Sequence, residues 1–301
     1  MIVVNADYLK LHFIVFLWGF TAILGMLISL PPVEMIFYRT LLSASGLGVL
    51  MLVGNRSFRV SGKDATGLLL TGMLVAVHWI AFFGAARIAN VSVSLVGFAT
   101  ASLWTALIEP VSQRKRVKGF EVLLGLCVIT GIVIIFSYQH NLRAGFIVAI
   151  FSGLMAAVFA VINARYTKRI NARIITFYEM AGAALGTAVF FPLYAHHWAD
   201  GGVLRLDATP LDWVYLFILA LICTVYAFTV MIELMKRIPV FFIQLTINLE
   251  PVYGIIMALL IFGEREKMAG NFYLGASIIV GAILFYPYLK RRFEKPVESN
   301  G

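Results

Sequence analysis

Glu250 and Pro251 sit side by side about halfway along an apolar run, Arg237 to Glu264. The run is long enough to cross a bilayer as a helix, which takes about 20 residues. A carboxylate at that depth is costly unless it faces other protein or water, and an intramembrane ionisable residue is by default a functional site. Pro251 brings no amide N–H, so the Ile247 carbonyl one turn back loses its helical donor. On a continuous helix Thr246, Tyr253 and Gly254 share the Glu250 face at 100° per residue. That is an acid, a hydroxyl, a phenol and a gap where a ligand can approach, while Gln244 and Asn248 form a second polar pair on a different face. Two readings stay open for Glu250: a cavity-lining group that titrates, or a protonated acid hydrogen-bonded to a neighbouring helix.

Arg39 is the natural counter-charge for a carboxylate, on a solute or on Glu250. It shares a face with Ser43 and Gly46, and small residues let helices approach closely, so this face should point into the bundle; snorkelling to the interface is the alternative. Glu179 shares a face with Thr176, Gly182 and Gly186, and either gates or pairs with the basic loop 165–173. His78 and Trp79 lie together in mid-span. Trp18, Trp104 and Tyr226 offer aromatic walls for a substrate, with ordinary helix packing as the other reading. The acids Glu109, Glu233 and Glu264 fall near the ends of apolar segments and read as solvated or loop-organising groups.

Several machineries have no residues to run them. Gly62-Lys63 lacks the upstream glycine of a phosphate-binding loop and is followed by Asp64, so ATP hydrolysis is not expected. No HExxH motif or Cys/His cluster is present, and His196-His197 is an adjacent pair that does not put two ligands on one helical face. No metal, no cofactor and no catalytic residue is therefore expected. Cys127 and Cys223 both lie inside apolar segments and read as small buried hydrophobes.

The elements that must position these groups follow from composition. The chain has 301 residues, 61% hydrophobic and 13% charged, with a mean hydropathy of +0.92. Soluble domains carry about 25% charged residues, so this is an all-α integral membrane protein whose first partner is the lipid bilayer. The net charge of +9 would suggest nucleic acid in a soluble chain. Here the basic residues stand in short connections beside apolar segments and set topology instead, so no nucleic acid is expected.

Ten apolar segments can be marked, at about 9–29, 33–53, 66–86, 91–112, 119–138, 144–164, 174–194, 212–235, 238–262 and 270–289. With the N-terminus inside, alternate connections hold eighteen of the 24 lysines and arginines, the opposite set holds five, and Arg39 lies within a span. By the positive-inside rule both termini are expected in the cytoplasm. The first apolar run lacks a clear cleavage site and reads as a spanning helix.

The chain also repeats itself. Arg87-Ile88 matches Arg237-Ile238, Leu124-Gly125 matches Leu274-Gly275, and Gly131 matches Gly281, all at one offset. Phe37-Tyr38-Arg39 matches Phe177-Tyr178-Glu179 at a slightly smaller one. Two five-helix repeats follow, 1–140 and 141–292, with a cytoplasmic tail at 293–301. Because each repeat has an odd number of spans, the second enters the membrane inverted. Inverted repeats are the architecture of many transporters, with the site between the halves near the midplane.

The set of motifs in order resembles the drug/metabolite transporter superfamily, in its EamA-type branch. The residues are Trp18-Gly19, Phe37-Tyr38-Arg39, Ile238-Pro239, Leu249-Glu250-Pro251, Gly263-Glu264, Gly275 and Gly281. The resemblance implies a ten-helix carrier of a bacterial-type inner membrane, exporting or importing amino acids or other small metabolites. The chain departs from it in its first half, where Glu109-Pro110 lies five residues off the register that would match Glu264.

The expected function is a secondary transporter moving a small polar or amphipathic solute by alternating access. Its expected cavity residues are Glu250, Arg39, Asn248, Tyr253, His78, Trp79, Trp18, Trp104 and Tyr226. Gating or proton coupling would fall to Glu250, Glu179 and Pro251. A passive facilitator is the alternative. A membrane-embedded lipid-modifying protein is a weaker one, because the acids are scattered through depth.

Overall fold

Apolar runs bounded by short polar connections become helices throughout, and among the described residues no strand occurs. The computed structural model describes residues 2–114, 116, 119–138, 142–238, 240–247 and 249–293, leaving aside some side chains within these ranges, that of Pro251 among them. Asn248 and most of the tail from 294 onward, two expectations from the sequence, therefore lie outside the described residues.

The helices are α1 (Ile2–Gly19), α2 (Thr21–Leu27), α3 (Pro32–Val53), α4 (Gly62–Ile88), α5 (Val91–Phe98), α6 (Ala101–Ser112) and α7 (Gly119–Tyr138). They continue as α8 (Arg143–Tyr166), α9 (Ala172–His197), α10 (Pro210–Phe217), α11 (Ala227–Leu234), α12 (Val240–Ile247), α13 (Glu250–Phe262) and α14 (Gly270–Phe293). A π-helical stretch, Ile218–Tyr226, joins α10 to α11 without a break. Seven stretches are long and apolar enough to cross a membrane: Ala6–Leu27, Pro32–Val53, Gly62–Ile88, Val91–Ser112, Arg143–Tyr166, Ala172–His197 and Pro210–Leu234. The remaining predicted segments are helical as α7, as α12 with α13, and as α14.

Local chemistry sets the helix starts. Pro32 opens α3, where its missing N–H leaves no bond unmade. Ser61, Asn90 and Asn171 cap α4, α5 and α9 by accepting from backbone N–H groups one turn in. Thr209 and Asp212 form a reciprocal capping box on α10.

Packing centres on α4, which lies against α8 and α9. A Cβ on Gly72 would stand 2.0 Å from the Glu179 carbonyl oxygen, and one on Gly182 2.2 Å from that of Leu69. Only glycine allows α4 and α9 to touch backbone to backbone at these two points. The main core gathers buried side chains such as Leu11, Ile36, Val75, Phe82, Ile175 and Phe228. A second cluster, with Val96, Phe146, Phe272 and Ile279, joins α5, α8 and α14.

Three apolar segments are interrupted near their middles: at Phe20 between α1 and α2, at Ala99-Thr100 between α5 and α6, and at Leu249 between α12 and α13. The starts of α6 and α13 that follow the last two interruptions, Ala101 and Glu250, fall within one residue of the offset of the sequence repeat. The third corrects the single helix expected over 238–262. Pro251 does not distort a helix from inside; it stands in the first turn of α13, the position where proline costs least.

Both ends of the bundle are tied. At one end Arg87 donates to the carbonyls of Gly25, Ile28 and Leu30. There Asp212 accepts from the N–H and hydroxyl of Ser29, each at 2.7 Å, and from both donors of Thr209. At the other end Arg237 pairs with Asp7 at 2.6 Å and Arg169 with Asp64 at 2.6 Å.

Candidate functional site

Between these ends lies a cavity of about 60 Å³. Its wall carries Arg39 from α3, His78, Trp79, Phe82 and Phe83 from α4, and Trp18 and Thr21 from the α1–α2 interruption. Phe98 closes α5, Ala156 and Phe159 come from α8, Phe228 and Met231 from α11, and Gln244, Ile247 and Glu250 from the α12–α13 interruption.

Arg39 is 2% exposed, and three groups fix it. Its Nε–H donates to the Thr224 hydroxyl at 2.8 Å. Its guanidinium carbon lies 3.9 Å from the centre of the Trp79 ring and 5.7 Å from that of Phe83. A cation over an indole face is held by the ring quadrupole, more strongly once water is excluded. The π-helical stretch makes the first of these contacts available. Thr224 donates back five residues to the Leu219 carbonyl, at 2.8 Å, so its oxygen stays free to accept from Arg39. One residue earlier, the Cys223 carbonyl accepts the Trp18 indole N–H at 2.9 Å. Single π turns inside α-helices occur frequently at functional sites.

Glu250 is 4% exposed and begins α13. The helix dipole there favours negative charge. Gln244 reaches the same cavity from the last turn of α12 because the interruption resets the helical phase. Among the described residues Arg39 and Glu250 form no ion pair within 4 Å, although each bears electrostatically on the other. The cavity wall therefore carries one basic and one acidic side chain that do not pair directly.

His78 is locked. The Ser152 hydroxyl donates to the His78 carbonyl at 3.0 Å, while His78 Nδ1 lies 3.0 Å from the Ser152 carbonyl and 2.8 Å from its hydroxyl oxygen. These contacts are all met when Nδ1 carries the proton, an assignment by network. Nε2 is then the remaining acceptor on the imidazole. The rings of Phe82, Phe98 and Phe159 surround it.

Five of the residues singled out from sequence, Arg39, Glu250, His78, Trp79 and Trp18, thus line one cavity. Four stand elsewhere. Tyr253 packs its ring edge-on to Phe16 of α1 and does not line the cavity, although it follows Glu250 by three residues on the same helix, α13. Tyr226 is 43% exposed and meets Phe13. Trp104 lies on α6 away from the cavity, with its indole N–H buried and unbonded. Glu179 is fully buried among α4, α8 and α9. The phenylalanine wall, Thr21 and the Thr224 partner of Arg39 were not singled out from sequence, and Gln244 was assigned to a different face. The only hint toward the phenylalanines is the density of Phe around positions 82–83 and 98. Among the described residues no group of three or more His, Cys, Asp or Glu side chains could hold a metal ion. The Thr21 hydroxyl is spent on the Trp18 carbonyl at 2.8 Å. The arrangement is suited to non-covalent binding: two charges, amide and imidazole acceptors, and aromatic surface.

Residues 143–287 match the EamA-like transporter family, which bears out over the second half the resemblance noted in the sequence. No curated protein matches the chain. Among solved structures, 26 chains match. One, described simply as the crystal structure of a protein, superposes with a TM-score of 0.68 over 96% of this chain and 99% of its own, at 16% identity. At that identity the likeness concerns the fold alone.

Proposed function

We propose that the chain is a secondary transporter of the EamA type, which binds a small amphipathic solute in the central cavity and carries it by alternating access. One observation carries the reading: Arg39, from the proposed first repeat, and Glu250, from the second, line the same aromatic-walled space without pairing directly. A free amino acid or similar zwitterion complements it, with its carboxylate on the Arg39 fork, its amine toward Glu250, and its apolar part on Phe and Trp rings. The interruptions at Ala99-Thr100 and at Leu249 support two inverted five-helix repeats, since discontinuous helices around a midplane site are the usual device of such carriers. Repeat boundaries near 140 and an inner-membrane location belong to the same proposal.

The test is counterflow in proteoliposomes preloaded with members of a panel of amino acids and small metabolites. At least one zwitterionic solute should exchange in a protein-dependent, saturable way. Exchange of none of them, or only of solutes lacking a carboxylate, would remove this reading. Orientation rests on the basic-residue bias. In a background lacking Cys127 and Cys223, Ala199→Cys is expected to react with an impermeant thiol reagent in right-side-out vesicles and Gln113→Cys is not; the reverse pattern would invert the topology.

A further inference from the structure

Glu179 is a fully buried acid that the central cavity does not use. Its Oε2 accepts one hydrogen bond, from Asn163 Nδ2 at 3.2 Å. Its Oε1 and the Asn163 Oδ1 are both buried with no partner, so two adjoining side chains each present an unfilled acceptor. No charged group among the described residues faces Glu179 within ion-pair distance. The candidates on the helices around it are Glu34 and Arg39 on α3; Lys63, Asp64, His78 and Arg87 on α4; Arg143 and Arg165 on α8; Glu233 on α11; and Arg173, His196 and His197 on α9 itself. An ionised carboxylate left so alone in a dry interior carries a desolvation cost that nothing here offsets.

A polar route leads to this pair from one side. Thr229, Asn171 and Glu233 line an open cleft at the end of the bundle where α9 begins. The Thr229 hydroxyl donates to that of Thr176 at 3.1 Å. Thr176 donates in turn to the Ala172 carbonyl at 3.0 Å, and its hydroxyl must rotate to point along the helix toward Glu179, one turn further on α9. On the other side Asn163 lies one turn of α8 from Phe159, a wall of the central cavity. Behind Glu179 the contact of α4 and α9 at Gly72 leaves no space.

We propose that Glu179 and Asn163 form a proton-binding site, separate from the solute cavity and filled from this cleft through Thr229 and Thr176. A hydronium ion in the cleft gives up one O–H bond and leaves water, each threonine hydroxyl on the way takes one proton and releases its own, and the carboxylate gains one O–H bond. A hard metal cation is a poorer match, because such ions take about six or more oxygens and only two unfilled ones are present. The site is independent of which solute the cavity takes, and its test does not involve transport.

The experiment is infrared difference spectroscopy on the purified full-length protein. A protonated-carboxyl band is expected that Glu179→Gln removes and Glu250→Gln retains. Asn163→Ala should shift its frequency while keeping it, which tests the site even if Glu179→Gln fails to fold. Thr229→Val should slow its hydrogen–deuterium exchange by about tenfold or more, roughly the effect of 1.4 kcal/mol on a barrier, without moving its frequency. The proposal is overturned if no band responds to Glu179→Gln or Asn163→Ala. It is also overturned if sodium at fixed pH displaces the band, or if exchange is as fast in Thr229→Val and Thr176→Val as in the unmodified protein.

Discussion

Arg39→Ala is expected to abolish exchange of carboxylate solutes. Removing one partner of a buried, hydrogen-bonded charge pair costs about 2–5 kcal/mol, which is a loss of affinity of roughly 30-fold or more. Arg39→Lys should not rescue it. The native guanidinium spends Nε on Thr224 and its face on Trp79, keeping its outer N–H groups for a ligand. A lysine ammonium is a point charge without a planar fork and cannot meet all three demands. Solute affinity measured by tryptophan quenching or counterflow decides the matter. Unchanged affinity in both variants, with only thermal stability lowered, would make Arg39 a packing element of α3, α4 and the π-helical stretch.

Glu250→Gln is expected to separate binding from coupling. Glutamine keeps the shape and an acceptor at the start of α13 but cannot titrate. Exchange of solute across proteoliposomes should persist, whereas accumulation driven by an imposed pH gradient should fall to none. The sequence provides no ATP-binding loop, so uphill movement needs such a gradient-driven step. Full pH-driven accumulation by Glu250→Gln would remove this residue from coupling. Loss of exchange as well would assign Glu250 to direct capture of the solute's cation.

The charged part of this site was legible in the sequence because charge is anomalous in an apolar run: Arg39 and Glu250 announce themselves by cost alone. The seven long spans were legible for the same reason in reverse, as uninterrupted apolar length. What failed was phase. Faces drawn at 100° per residue assume an unbroken helix, and the interruption at Leu249 sends Gln244 to the cavity. Tyr253, three residues after Glu250 on one helix, packs on Phe16 of α1 instead because a neighbouring helix, not phase, claims its ring. The π-helical stretch shifts phase again, and its sequence, Ile218–Tyr226, contains no glycine or proline to signal it. Aromatic residues were ambiguous for another reason. In a membrane chain the side chains facing lipid and those facing an amphipathic solute are alike, so Tyr226, at the surface, and Phe98, at the cavity, look the same in sequence. Thr224 carried no signal, because its value lies in a carbonyl five residues back.

The central claim is that one cavity, walled by Arg39 and Glu250, opens in turn to each side of the membrane. Thr21 lines that cavity at the α1–α2 interruption and is 5% exposed. The direct measurement is the reaction of Thr21→Cys, in a chain otherwise lacking cysteine, with an impermeant thiol reagent applied to one face of the membrane and, in a parallel sample, to the other. Alternating access predicts labelling from both faces. Labelling from one face only, or from neither, would contradict it.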